Sequence, residues 1–196
     1  MTKTRLALLT PALLALAACG ANNDAPGGTS PAVEADRAAE VPAPPAAPAA
    51  TATVTLEPTA GNQTAGQLTF TDVDGRIEVT GTVTGLAPDS EHGFHVHEHG
   101  DCSAPDGSSA GGHFNPGGSE HGRVGHGAHH AGDSDNISAG ADGTAQVHNW
   151  LEGATIGDGA PTDIVGKGVI VHTKSDDYTT QPTGDAGDRL ACGVIQ

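Results

Sequence analysis

A chain of 196 residues with 29 glycines, 13 prolines and 3% aromatic residues is long enough for one domain plus an appendage, and its composition excludes a helical bundle. Against 8 Lys+Arg stand 24 Asp+Glu, a formal net charge of −16, which excludes a general nucleic-acid binder and charge-driven docking on anionic membranes. The 11 histidines exceed any packing need and point to metal.

The first element is an address. Lys3 and Arg5 precede an apolar run from Leu6 to Ala18, broken only by Thr10 and Pro11. A basic start and an apolar stretch too short to span a bilayer predict a signal peptide over residues 1–18. The run ends in Leu16-Ala17-Ala18-Cys19-Gly20, which resembles the bacterial lipobox. That resemblance implies lipidation of Cys19 and an exported protein held on the cell envelope by acyl chains, either in the periplasm or on the outer face of a membrane. The plainer alternative is an ordinary secretory signal cleaved near Ala18. Residues 19–52 then read as a linker. Six prolines between Pro26 and Pro48 lie in an Ala-rich stretch without apolar period, which buries too little to offset its ordering entropy.

Beyond the linker, a folded domain is expected over residues 53–196. Short β-branched or alternating segments at Thr53–Pro58, Leu68–Thr71, Arg76–Val83, His92–His97, Gly143–Trp150, Gly168–Thr173 and Leu190–Ile195 predict strands separated by turn residues. No long segment carries a 3.6-residue period. The expectation is an all-β antiparallel sandwich or barrel. Two stretches, Gly100–Ile137 and Asp176–Asp188, do not read as strands. Loops of that length in a compact domain are usually functional or disordered, and the first holds most of the histidines.

Of three cysteines, lipidation of Cys19 leaves Cys102 and Cys192 as an even pair in an oxidising compartment. The simple expectation is one disulfide; the alternative is two unpaired thiols. His95 and His97 flank Val96 on a predicted strand, so both imidazoles share one face and Val96 points the other way. Two solvated histidines would give the same pattern. His172 ends the apolar Val169-Ile170-Val171 run. The long loop supplies His113, His121, His130 and Asp133, and three imidazoles with one carboxylate suit Zn²⁺. His126 and His129 lie in the same stretch, and spacing alone does not say which of these histidines bind.

Gly93-Phe94-His95-Val96-His97-Glu98, Gly100-Asp101-Cys102, Gly112-His113-Phe114-Asn115-Pro116 and Gly187-Asp188-Arg189-Leu190-Ala191-Cys192-Gly193-Val194-Ile195 closely resemble the copper/zinc superoxide dismutases. The resemblance covers about residues 53–196. It implies an eight-stranded Greek-key barrel of immunoglobulin-like architecture with two functional loops. It implies copper on His95, His97, His113 and His172, and zinc on His113, His121, His130 and Asp133, with His113 shared. Arg189 matches the active-site arginine, Asp176 an aspartate joining the two metal sites, and His92 a structural histidine. Cys102 and Cys192 match the family's disulfide. The implied activity is dismutation of superoxide outside the cytoplasm, with His113 as proton carrier. A catalytically weak copper/zinc-binding lipoprotein for metal handling would show loss of a copper ligand or of the arginine, and none is lost; an adhesion module on the same sandwich would leave the histidine set without a purpose. His99, His126, His129 and His148 have no assigned role. The Asp176–Asp188 loop lacks lysine, so weak electrostatic steering is expected. No apolar stripe decides between a monomer and a homodimer; Trp150 is one plausible contact.

Overall fold

The computed structural model describes residues 48–196. The expected signal peptide, Cys19 and most of the expected linker lie outside the described residues.

Nine strands run β1 (Thr51–Pro58), β2 (Ala65–Val73), β3 (Arg76–Thr84), β4 (Glu91–His92), β5 (Phe94–His97), β6 (Ile137–Ser138), β7 (Ala145–Leu151), β8 (Gly168–His172) and β9 (Arg189–Val194). The only helical element among the described residues is a 3₁₀ turn, Ser108–Ala110. Seven strands form one curled antiparallel sheet in the order β5-β8-β9-β1-β2-β3-β7, and β4 pairs with β6. The expected eight strands become nine because Gly93 alone separates β4 from β5, passing the chain from the small sheet to the large one. The linker expectation also shortens by two residues. Thr51 and Ala52 belong to β1, where Ala52 is buried and sits opposite Phe70.

Alternation sets the register. In β1, Ala52, Val54 and Leu56 are buried while Thr51, Thr53 and Thr55 face solvent. The β2–β3 hairpin turns on Asp74-Gly75, both at positive φ (54° and 82°), with Asp72 Oδ1 accepting the Gly75 N–H at 3.0 Å. Phe70, Val79, Val83, Phe94, Val96, Leu151, Ile164, Val169 and Val171 fill a single core inside the curl.

Strands β5 and β8 depart from this pattern. Every residue of both is buried. Phe94 and Val96, Val169 and Val171 face the core. Their neighbours face outward, where the chain between β5 and β6 covers them. Ile170, for instance, packs with Ala110 and Cys192 beneath the covering loop. That cover takes His95 and His97 out of water, so the solvated-face reading of the pair does not hold.

Candidate metal centre

Two groups of four side chains lie within binding distance of an ion: His95, His97, His113 and His172, and His113, His121, His130 and Asp133. Within each group the ligand atoms all fall within 4.8 Å of one another. All seven residues are buried. They are the residues that the family resemblance implies, and His113 belongs to both groups.

The strands bring the first group together. β5 carries His95 and His97, and β8 ends at His172 beside it. An isolated bridge joins His113 to His97. A register shift between Val171 and His172 skips Leu190 and sets Arg189 opposite His172. Bulges of this kind commonly re-aim a side chain beside a site.

Each ring is oriented by a bond to one nitrogen. His95 Nε2 meets Asp176 Oδ2 at 2.7 Å, His97 Nδ1 donates to the Gly111 carbonyl at 2.9 Å, and His172 Nδ1 donates to the Gly187 carbonyl at 3.2 Å. The proton on that nitrogen leaves a lone pair on the other. His95 Nδ1, His97 Nε2, His113 Nε2, His121 Nδ1, His130 Nδ1 and His172 Nε2 are the buried polar side-chain atoms, among the described residues, that lack a hydrogen-bond partner. Buried unpartnered acceptors are costly in a folded protein, and six converging on two points fit metal ions. A redox-capable ion suits the all-imidazole group, and a fixed tetrahedral one suits the three-imidazole, one-carboxylate group.

Electrostatics act on these ligands in two directions while no ion is bound. Burial lowers His95 to about 4, against the hydrogen bond it donates to Asp176. Burial, reinforced by neighbouring imidazoles and Arg189, holds His97 and His172 well below the ordinary histidine range. Burial alone would raise Asp133; the hydrogen bond from His113 and the close approach of the His121 ring, with Nδ1 3.1 Å from Oδ2, outweigh it and keep the carboxylate ionised. For His121, burial pulls down, but Asp133 and Asp176 prevail and lift it to about 9.

Asp176 lies between the groups. Its Oδ2 meets His95 and its Oδ1 meets His121 Nε2 at 3.0 Å. Asn136 holds the Asp176 main chain at both ends, with Oδ1 accepting the N–H at 2.8 Å and Nδ2 donating to the carbonyl at 2.9 Å. Tyr178 adds an OH that accepts the Asn136 N–H at 2.9 Å. Arg189 donates through Nη1 to the Gly107 carbonyl and through Nη2 to the Gly111 carbonyl, each at 2.6 Å. A Cys102–Cys192 disulfide fastens that same loop to β9. His92 Nδ1 donates to the His172 carbonyl at 2.8 Å and its Nε2 lies 2.6 Å from Ser90 Oγ, outside both groups. His99, His126, His129 and His148 also lie outside; His148 pairs with Glu78 at 2.8 Å and His99 lies 3.4 Å from Glu98. Trp150 sits under Arg76, whose guanidinium lies 4.3 Å above the ring.

Sequence reasoning missed the carbonyls of Gly111 and Gly187 and the amides of Asn136 and Gln181. None carries a signal in one sequence, because an Asn or Gln in a polar loop looks the same whether or not it holds a backbone.

A curled antiparallel sheet bearing two buried ligand groups that share one imidazole defines a two-metal β-barrel protein. Residues 64–195 match the family described as copper/zinc superoxide dismutase (SODC), and the chain belongs to that family. Its cofactors are copper and zinc. It is 38% identical over 125 residues to the superoxide dismutase-like protein YojM of Bacillus subtilis (strain 168), covering 62% of this chain and 64% of that one. It is 40% identical over 115 residues to superoxide dismutase [Cu-Zn] 2 of Aquifex aeolicus (strain VF5), covering 57% of this chain and 67% of that one. The chain thus spans about two thirds of the length of these relatives. Among solved structures, a SOD-like protein from Bacillus subtilis superposes with a TM-score of 0.66 at 35% identity, over 72% of this chain and 96% of that one.

Proposed function

We propose that the protein dismutates superoxide, with copper in the group of His95, His97, His113 and His172 and zinc in the group of His113, His121, His130 and Asp133. The observation that carries this reading is the set of six buried ring nitrogens left without hydrogen-bond partners, disposed as two groups about His113 with Arg189 opposite His172. When bound, copper supplies a reversible one-electron couple and zinc a fixed charge that does not change oxidation state.

The chain's own residues do the rest. His95, His97 and His172 stay neutral at working pH and present oriented lone pairs. Arg189 is a permanent cation whose two backbone bonds fix its direction; it attracts the anion and donates to it. Two superoxide anions and two protons yield one dioxygen and one hydrogen peroxide. Between its turns as a ligand, His113 Nε2 would carry one of those protons and release it to the reduced oxygen, while Nδ1 faces the second group, 2.7 Å from Asp133. The covering loop excludes bulk water from all four imidazoles.

The same proposal places the protein outside the cytoplasm on a lipid anchor at Cys19. The lipobox-like string and the Cys102–Cys192 disulfide support this, since disulfides persist in oxidising compartments. A monomer or a homodimer would serve the chemistry equally. Labelled palmitate in the native producer should be incorporated by the parent and not by Cys19→Ala. The activity is tested by comparing the copper- and zinc-loaded protein with the same protein after chelation. Acceleration of superoxide decay by the loaded protein alone supports it; a loaded protein that leaves the decay unchanged favours metal handling.

A further inference from the structure

The four residues of the second group are held in different ways. His130 and Asp133 secure each other: the Asp133 N–H donates to the His130 carbonyl at 3.1 Å, and the His130 N–H to Asp133 Oδ2 at 2.8 Å. His113 is held by its bridge to His97. His121 lies in irregular chain, outside any ladder. Among the described residues, both hydrogen bonds of its main chain come from one side chain on the other long loop. Gln181 Oε1 accepts the His121 N–H at 2.8 Å, and Gln181 Nε2 donates to the His121 carbonyl at 2.9 Å.

An amide side chain is the uncharged group that offers a donor and an acceptor side by side, matching the two polar atoms of a residue's main chain. Gln181 is an exposed residue, so packing in the core does not account for this placement. Its two bonds act on the main chain of His121, separately from the bond that Asp176 makes to the ring.

We infer that Gln181 is a positioning residue: its amide clamps the main chain of His121 and thereby sets His121 Nδ1 toward the ion of the second group. The inference rests on the reading of that group as the zinc site. Without the clamp, the loop that carries His121 gains freedom that binding must remove. Loss of an outer partner of a metal ligand lowers affinity by roughly 10–100-fold.

The test uses the full disulfide-bonded chain, stripped with chelator and reloaded. Zinc affinity is measured by competition with a chromophoric chelator, copper affinity likewise, and cobalt(II) in place of zinc reports ligand geometry through its visible bands. Gln181→Ala removes the amide; Gln181→Met removes it while keeping side-chain length. Both variants should bind zinc at least about tenfold more weakly, with altered cobalt bands and with copper affinity close to that of the parent. Parent-like zinc affinity and cobalt bands would overturn the inference. So would an equal fall in zinc and copper affinity, which marks a residue that only stabilises the fold. A parent chain that takes up no zinc would sink the reading of the second group itself, and that result appears before any variant is made.

Discussion

His97 and Arg189 donate to one and the same carbonyl, that of Gly111, from Nδ1 at 2.9 Å and from Nη2 at 2.6 Å. A copper-group ligand and the cation beside it are therefore set by a single peptide. Arg189→Lys keeps the charge but offers a point donor in place of a fork that spans Gly107 and Gly111. Superoxide decay should slow at least about tenfold in this variant, with copper stoichiometry unchanged. Parent-like turnover would show that charge alone suffices.

Asp176 touches a histidine of each group, so its loss should be felt in both. Asp176→Asn leaves a side chain that cannot accept from His95 and His121 through both oxygens. A roughly 10–100-fold loss of zinc affinity is expected, read by chelator competition. An unchanged affinity would contradict the bridging role.

Gly184 shows how tightly the second long loop covers this bridge. Its φ is +67°, and a Cβ there would collide with the Asp176 carboxylate and with His121 Nε2. Gly184→Ala should lower zinc affinity and also cost at least about 1 kcal/mol of stability from backbone strain alone. Chemical unfolding and zinc titration of one sample check both. A neutral result would mean that the loop does not sit on the bridge.

The stripped protein should be most stable near neutral pH. Burial keeps His95 unprotonated to about pH 4, and His97 and His172 are held low in the same direction. Unfolded histidines take up protons near pH 6.5, so between pH 6.5 and 4 the unfolded state binds more protons and stability falls as pH falls. For His95 this is worth on the order of 3 kcal/mol. Further down, Asp133 and Asp176, both held low, lose their contribution as pH drops through their folded values. His121 acts the other way. Raised to about 9, it holds a proton in the folded state that the unfolded state lacks, so stability falls between pH 6.5 and 9. Urea unfolding across this range checks the maximum; a monotonic profile would contradict it.

Steering should be weak. Arg76, Arg123 and Lys174 are ion-paired with Glu152, Asp135 and Asp185 at 3.1, 2.6 and 3.5 Å. Arg189 shares its groove with Asp106 and Asp188. The Debye length falls from about 30 Å at 0.01 M salt to about 8 Å at 0.15 M, yet the rate should change by less than about twofold. A steep fall with salt would mean a net positive approach.

Much of this was legible in the sequence because it is written in alternation and local motifs. The Thr-Ala-Thr-Val-Thr-Leu alternation of β1 gives its buried face directly, and His95-Val96-His97 gives two imidazoles opposite a core valine. β6 was not legible, since two residues carry no period, and the break at Gly93 follows from the crossing between sheets. His95, His97 and His113 stand in short motifs; His121, His130, Asp133 and His172 follow only from the family resemblance, because spacing alone does not separate binding from non-binding histidines. Gln181, Asn136 and Gly184 were not legible, because their roles depend on which distant backbone the loops bring beside them.

The central claim is that the first group is a catalytic copper site. Its most direct test is superoxide decay by pulse radiolysis on the full, oxidised, copper- and zinc-loaded chain beside His172→Ala. The account predicts fast, copper-dependent decay that collapses when His172 is removed. Decay no faster than in buffer, in a protein shown to hold both metals, would contradict it.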